Sequence, residues 1–481
     1  MKSFRRSIIS GLLFTILGVG VAGQIPNSLY FMPGVPQSNR INPSIQPGWG
    51  FYIGMPGVAP LRFQVSSSSL GFNDVITYNQ EIDSLVTPFH PLADKDAFLK
   101  NLKETNYMLS SLGTSLASFG FRSGKSFFSF DITTRVDGNI SYPRGIFDVM
   151  FDGAPDGSTI SLSGIGVDVN VFNEFSMGYS RKDFLLPGLD VGIRGKLLFG
   201  IANVATRNSV FDISTSMEAW NVNSSMQMSV AAPQSVVTFN SDIENEDPFT
   251  IDSTFIDNAS PGEIVRTFLN PDQAGLALDI GASYRILPQL LVSASVMDIG
   301  GIRWKNTMEG NFDFQYEFRG IEVNPFTGVD TTFVSELTDS LINSISFVTG
   351  TPYFSKLNTK LFVGVSYYPI EKIGLGLLSR TDFLGENISQ QFTGSVNMTT
   401  GKFINLSLSY SYMSNTFNNI GAGLSFNVGP LNLYLISDNI VSGALNPLDT
   451  RSVNLWFGMN LAFGWQRAGK KAGPVDRPLI L

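Results

Sequence analysis

The sequence predicts an all-β chain: a transmembrane antiparallel outer-membrane β-barrel of about 14–16 strands, with an N-terminal plug and long extracellular loops. Three observations predict it. The first is alternation towards the C-terminus. Ile404, Leu406, Leu408, Tyr410 and Tyr412 alternate with Asn405, Ser407, Ser409 and Ser411. Ile420, Ala422, Leu424, Phe426 and Val428 alternate with Gly421, Gly423, Ser425 and Asn427, and the pattern returns from Val453 to Trp465. A period of two places each set on one face of a strand. Strands of soluble sheets are usually about 5–6 residues long. These run longer, and their second face is Gly, Ser and Asn rather than Lys and Glu. Such a strand suits lipid outside and a wet lumen inside.

The second observation is composition. Charged residues are 15% of the chain, with 47 Gly and 39 Phe, whereas a soluble domain carries about 25% charge. The third is the spacing of connections. With the last strand descending to the periplasm, Gly429-Pro430, Thr400-Gly401, Pro369-Ile370-Glu371 and Ile286-Leu287-Pro288 fall on the periplasmic rim. The linkers 140–157, 218–274, 302–356 and 440–450 fall outside. Short turns on one rim and long loops on the other are what this barrel class requires.

The elements follow in order. Residues 1–23 read as a signal peptide: Lys2, Arg5 and Arg6, an apolar stretch from Ile8 to Val21, and Val21-Ala22-Gly23 before Gln24. The chain has no cysteine, so lipoprotein anchoring, disulfides and thiolate metal sites are excluded. Residues 24–107 read as a hatch region with the first strand or strands, Gly50 to Met55 and Leu61 to Val65. Within it, Asp94 is placed to cap a helix running to about Lys103. The barrel is expected over 108–465, with strands near 128–136, 158–168, 173–182, 189–203, 208–217, 275–285, 289–301, 357–368, 372–381, 390–398, 403–413, 417–428, 431–439 and 451–465. The segment 311–320 also alternates and is assigned to an extracellular hairpin. Residues 466–481 form a basic tail with Arg467, Lys470, Lys471 and Arg477, expected in the periplasm. Both termini are expected there.

No reacting constellation is present, so the chain reads as a non-enzyme without a cofactor. The single histidine, His90, stands in a Pro-flanked loop, where acid–base work would need a positioned partner. Asp242, Glu244, Glu246 and Asp247, and likewise Asp148, Asp152 and Asp156, match no calcium-loop spacing and read as solvated carboxylates. No metal is expected. Gly164-Ile165-Gly166 lacks the context of a phosphate loop. The formal charge of −8 argues against nucleic acid as a partner.

Inward charges are more informative. Asp131, Arg135, Asp279 and Arg285 fall on the polar faces of their strands. An Arg or Lys facing lipid at mid-depth would cost about 2–4 kcal/mol, so they must face the lumen. They read either as an ion-pair network or as a solute path. Phe127, Phe362, Tyr434 and Trp456 stand among small inward residues. They either line an apolar passage or fill the lumen beside a plug.

Two runs carry a resemblance. Gly275-Leu276-Ala277-Leu278-Asp279-Ile280-Gly281-Ala282-Ser283-Tyr284 and Asp298-Ile299-Gly300-Gly301-Ile302-Arg303-Trp304 resemble the AxDxGxxY…DxGxIxW pattern of uncharacterised Bacteroidota outer-membrane barrels. Those are similar in turn to the long-chain fatty-acid transporter (FadL-like) superfamily. Asn42-Pro43-Ser44 resembles that superfamily's Asn-Pro-Ala hatch element, with Ser44 in place of Ala. The resemblance implies about 14 strands plugged by the N-terminal segment. It also implies passive passage of hydrophobic small molecules through the outer membrane, with Asn42 and Pro43 in the hatch. The long loops and basic tail suggest the alternative of an interaction barrel in an envelope or surface-secretion complex, with a protein partner.

Overall fold

Apolar side chains at every second position commit one face of a strand to lipid, and the chain can then satisfy its backbone only by closing on itself. The computed structural model describes residues 26–239, 249–252, 258–318, 323–324, 328–329, 344–370, 372–385, 387–399, 403–414, 416–440 and 450–465. The expected leader at 1–23, the basic tail at 466–481 and the group Asp242, Glu244, Glu246 and Asp247 lie outside the described residues.

The first wall position is shared by β1 (Phe51–Gly54) and β2 (Leu61–Ser67). β3 (Thr105–Ser123), β4 (Ser126–Pro143), β5 (Gly166–Arg181) and β6 (Leu189–Thr215) follow. β7 (Trp220–Ala231) leaves the ring; β8 (Ala274–Leu287) and β9 (Leu290–Trp304) return to it. β10 (Thr307–Phe318) and β11 (Ile345–Thr349) lie outside again, and β12 (Tyr353–Lys356) continues the line of β13 (Lys360–Ile370) along β9. β14 (Ile373–Leu384), β15 (Asn387–Thr399), β16 (Ile404–Met413), β17 (Thr416–Val428), β18 (Leu431–Ser437) and β19 (Ser452–Phe463) complete the wall.

β1 and β2 pair with β3 on one side and β19 on the other, which closes an antiparallel ring of fourteen strands. Leu406, Leu408 and Tyr410 are exposed on the outer face of β16, while Asn405, Ser407, Ser409 and Ser411 are buried on the inner one.

Three expected strands are corrected. The segments 189–203 and 208–217 are one strand, β6, of 27 residues. Its alternation is interrupted because its register slips against β5 at Val171/Phe172 and against β7 at Gln227/Met228. Each bulge inserts a residue and inverts the parity. The segment 158–168 holds only the short strand Thr159–Ser161 and the start of β5. The first part of β6 pairs with β8 in the ring, and the part from Asn203 pairs with β7 outside it. β10 pairs with β7 and with β11, so residues 311–318 stand in a sheet beyond the rim; 319–320 lie outside the described residues.

The loop rim is also capped by helices. α1 (Lys95–Asn101) starts where Asp94 accepts the Ala97 N–H at 2.9 Å. Phe98 of α1 packs at 5.1 and 5.8 Å on Phe147 and Phe151 of α2 (Gly145–Asp152). α3 (Pro261–Phe268) begins in a capping box between Ser260 and Glu263. Asp148 pairs with Arg144 at 3.1 Å, and His90 Nδ1 accepts the Leu92 N–H within a loop.

Candidate functional site

Residues 26–50 lie inside the ring as a plug built of short turns, two of them 3₁₀ (Asn27–Phe31 and Pro36–Arg40). A segment this short forms no core of its own, so the wall has to satisfy its polar groups. It does so at three levels. Near the loop rim, Asp438 accepts the backbone N–H groups of Asn27 and Ser28, the second at 3.0 Å. Arg380 donates to Asn27 Oδ1 at 3.2 Å and pairs with Asp382 at 3.0 Å. The first described residues therefore lie near the loop rim. Near the turn rim, Arg122 donates to Pro47 O at 2.6 Å, and Trp49 packs on Trp465 at 4.8 Å.

The middle level holds Asn42 and Pro43. Gly192 of β6 and Gly281 of β8 are direct cross-strand partners. A Cβ on Gly192 would overlap Pro43 O, and one on Gly281 would overlap Asn42 Oδ1. The paired glycines thus form a flat seat for the turn, a close approach that only glycine allows. Asn42 Oδ1 accepts from Ser44 N at 3.0 Å and Ser44 Oγ at 2.7 Å, and Asn42 Nδ2 donates to Tyr30 Oη at 3.1 Å. The Ser44 hydroxyl also meets Ser283 Oγ at 2.5 Å. An alanine at this position would lack that bond to the wall.

A charge network stands beside this seat. Arg40 of the plug pairs with Asp131, which Arg194 approaches at 3.8 Å. Arg135 reaches Asp137 and Glu174 at 2.8 Å and Asp298 at 3.1 Å. Lys196 reaches Asp279 at 2.7 Å, and Lys360 reaches Asp298 at 3.0 Å. Asp298 has a positive φ of 61°, tolerated by Asp because its short side chain can bond locally. Its N–H donates to Asp279 Oδ1 at 2.8 Å. The two acidic positions of the Asp279…Asp298 pattern thus meet in one place.

The structure brings Asp131, Arg135 and Asp279 together but leaves Arg285 apart. Arg285 and Asp279 share a face but stand six residues apart on β8, about 20 Å along a strand. Arg285 is half-buried at the turn rim, where its N–H donates to Gly188 O. Sequence parity missed Arg194 and Lys196, although both alternate with exposed Ile193 and Leu197 on β6. Asp298 was hidden by the register shift at Leu278/Ile280. Arg40 has no periodic signal, because the plug has no strand.

The aromatic candidates also divide. Phe362, Tyr434 and Trp456 are buried in one cluster with Leu29, Tyr30, Phe31, Met32, Val35 and Ile41 of the plug. Phe362 stacks on Tyr30 at 6.0 Å, and Trp456 Nε1 donates to Tyr434 Oη at 3.2 Å. Phe127 belongs to a separate cluster with Trp49, Tyr52 and Ala462. Among the described residues no group of three or more His, Asp or Glu side chains is arranged to hold a metal ion.

Residues 43–438 match a family described as of unknown function, DUF5723. No curated protein matches the chain. Solved structures similar to it include the toluene transporter TbuX of Ralstonia pickettii, at 10% identity and a TM-score of 0.39, covering 93% of this chain and 96% of that one. The P. putida toluene transporter TodX follows at 7% identity and 0.39, covering 89% and 95%. A FadL homologue of Pseudomonas aeruginosa is similar at 8% identity and 0.39, covering 92% and 100%. Likeness this shallow carries no functional information.

Proposed function

Because the chain belongs to the DUF5723 family, whose description assigns no activity, we propose its function from its own geometry: an outer-membrane barrel in which the N-terminal segment is a displaceable plug gating passive passage of hydrophobic small molecules. The observation that carries this reading is the apolar patch of Phe362, Leu378, Tyr434, Ile436 and Trp456 inside the lumen, covered by Leu29–Met32 and Val35 of the plug. The plug's own side chains occupy the surface on which an apolar ligand would lie. Elsewhere the charged groups Asp131, Asp438, Arg380 and Arg122 hold the plug, together with Ser, Thr, Asn and Gln of the wall, whose neutral hydrogen bonds water can replace at a net cost of about 0.5–1.5 kcal/mol each. Asn42 and Pro43 on their glycine seat are the hinge point of the gate. Passage requires the plug to move, since Arg40 and the ion pairs around Asp298 fill the middle of the lumen.

The leader at 1–23 and the exposed apolar belt support the outer membrane as the location, with the turn rim towards the periplasm. The test uses the absence of cysteine. Ser44 and Ser283, whose Oγ atoms stand 2.5 Å apart, are replaced as S44C with S283C. Oxidation should tie the plug to the wall and stop uptake of a hydrophobic fluorophore by cells, and reductant should restore it. Equal uptake in both redox states, with the disulfide shown to have formed, removes the gate.

A second reading, an interaction barrel, is favoured by β6. A strand needs about 9–11 residues to cross a bilayer, and β6 has 27. Its excess, with β7, β10 and β11, builds a sheet beyond the rim that transport does not require. In-cell crosslinking from this sheet should trap a stable protein partner if that reading is right; recovery of the barrel alone counts against it.

A further inference from the structure

Among the described residues, the carboxylates of the central network are all matched to cations, and one cation is left over. Arg40, Arg135, Arg194, Lys196 and Lys360 share five carboxylates: Asp131, Asp137, Glu174, Asp279 and Asp298. Asp382, which lines the same cavity, is held by Arg380. Arg62 is the surplus. It is 7% exposed, and its Nε and Nη2 have no hydrogen-bond partner. On β2 it stands in register with Gly113 of β3 and Trp456 of β19, and its guanidinium lies 6.0 Å from the Trp456 ring centroid. It lines the cavity together with Arg135, Arg194, Lys196 and Lys360.

A guanidinium keeps its charge at neutral pH. Buried without a counter-charge it is costly, and such groups are found paired. Asp137 and Glu174 attract it across the cavity but are bonded to Arg135, so a bonded counter-charge has to come from outside the network.

We infer that the lumenal cavity is an oxyanion site centred on Arg62, taking a carboxylate or phosphate group, free or carried as the head of an amphipath. The sign follows from the surplus cation. The chemistry follows from the planar guanidinium, which matches the fork of a carboxylate or phosphate. The Trp456 ring lies beside the charge, 6.0 Å from the guanidinium. A neutral hydrocarbon would leave Arg62 uncompensated. The inference does not rest on passage through the barrel: it concerns equilibrium binding, whereas the gate is tested by uptake.

The test is calorimetric titration of the full-length protein, in uncharged detergent at low ionic strength, with inorganic phosphate, acetate and decanoate in turn. At least one should bind one-to-one, weaken as sodium chloride is added, and alter tryptophan fluorescence through Trp456. Arg62→Gln should weaken that binding by about tenfold or more, while Arg62→Lys retains part of it and shows that the fold tolerates change at this position. Binding of phosphate or acetate identifies a free anion; binding of decanoate alone identifies a head group. Absence of binding by all three at millimolar concentration overturns the site. So does an Arg62→Gln protein of wild-type migration on unheated gels that binds as tightly as wild type.

Discussion

The two halves of the lumenal wall solve the same problem differently. From β4 to β13 the inner face carries Asp131, Arg135, Asp137, Glu174, Arg194, Lys196, Asp279, Asp298 and Lys360. From β15 to β19 it carries Thr393, Ser395, Ser407, Ser409, Ser411, Ser425, Asn427, Asn432, Asn454 and Asn460. The first half is a network of full charges and the second a set of neutral hydrogen bonds. Removing one partner from a buried ion pair strands the other charge, at about 3–5 kcal/mol. Removing a neutral hydroxyl leaves at most an unpaired dipole, at about 1–3 kcal/mol. The plug joins both, with Arg40 in the charged half and Gln37 in the neutral half, while Asn27 and Ser28 are held by Asp438 and Arg380 as well as by Gln391, Thr393 and Ser409. The difference makes the charged half the rigid frame; the plug is released from the neutral half only when its bonds to Asp438 and Arg380 also break.

That contrast can be broken most directly at its centre. Asp298→Ala leaves Arg135, Lys196 and Lys360 short of a shared carboxylate. It should destabilise the barrel by about 3–5 kcal/mol, read from urea unfolding of the detergent-solubilised protein by gel mobility. In the same assay Ser409→Ala, which removes the hydroxyl 2.8 Å from Ser28 Oγ, should cost about 1 kcal/mol. Equal losses would erase the distinction between the halves.

A substitution at the glycine seat sharpens it. Gly281→Val drives a side chain into Asn42. The plug should become sensitive to protease while the ring keeps its wild-type unfolding midpoint within about 1 kcal/mol, since bulk that the plug can evade strains the wall little. Loss of ring stability would show that the plug is part of the frame.

The smallest effect is a pH dependence at the turn rim. Asp183, in the turn after β5, accepts the Gly188 N–H at 2.9 Å and pairs with Lys125 at 2.9 Å. The Gly188 N–H, with Lys125, holds its carboxyl below the ordinary aspartate range. A depressed folded value stabilises the turn above the unfolded value of about 3.9 and is lost as pH falls through the folded value. Exchange of the Gly188 amide should therefore rise relative to Asp183→Asn as the pH drops below about 4. Parallel profiles for the two proteins would remove Asp183 as the cause.

Much of the ring was legible because lipid imposes its rule on every strand separately. Leu406, Leu408 and Tyr410 had to face outward whatever their neighbours; the short turns read from the sequence lie on one rim, but β14 and β15, and β16 and β17, are joined by equally short connections on the other. The helix behind Asp94 was legible for a similarly local reason, since its cap lies three residues from the N–H that it accepts. The charged interior was only half legible. Asp131, Arg135 and Asp279 follow strand parity, whereas Asp298 sits where the register shifts and Arg40 sits on a segment without a period. Arg285 shared the parity but not the depth, because parity fixes the face of a residue and not its height along the strand.

The sequence by itself determined that the chain is a barrel, which face of its regular strands is apolar and where several of its turns lie, because these follow from alternation and turn chemistry between near neighbours. Only the tertiary structure decided the number of strands in the ring, the excess of β6, the seat made by Gly192 and Gly281, and the surplus charge on Arg62. Each of these depends on which strands stand side by side and at what height. Closing the ring sets that register, and local sequence pattern does not encode it.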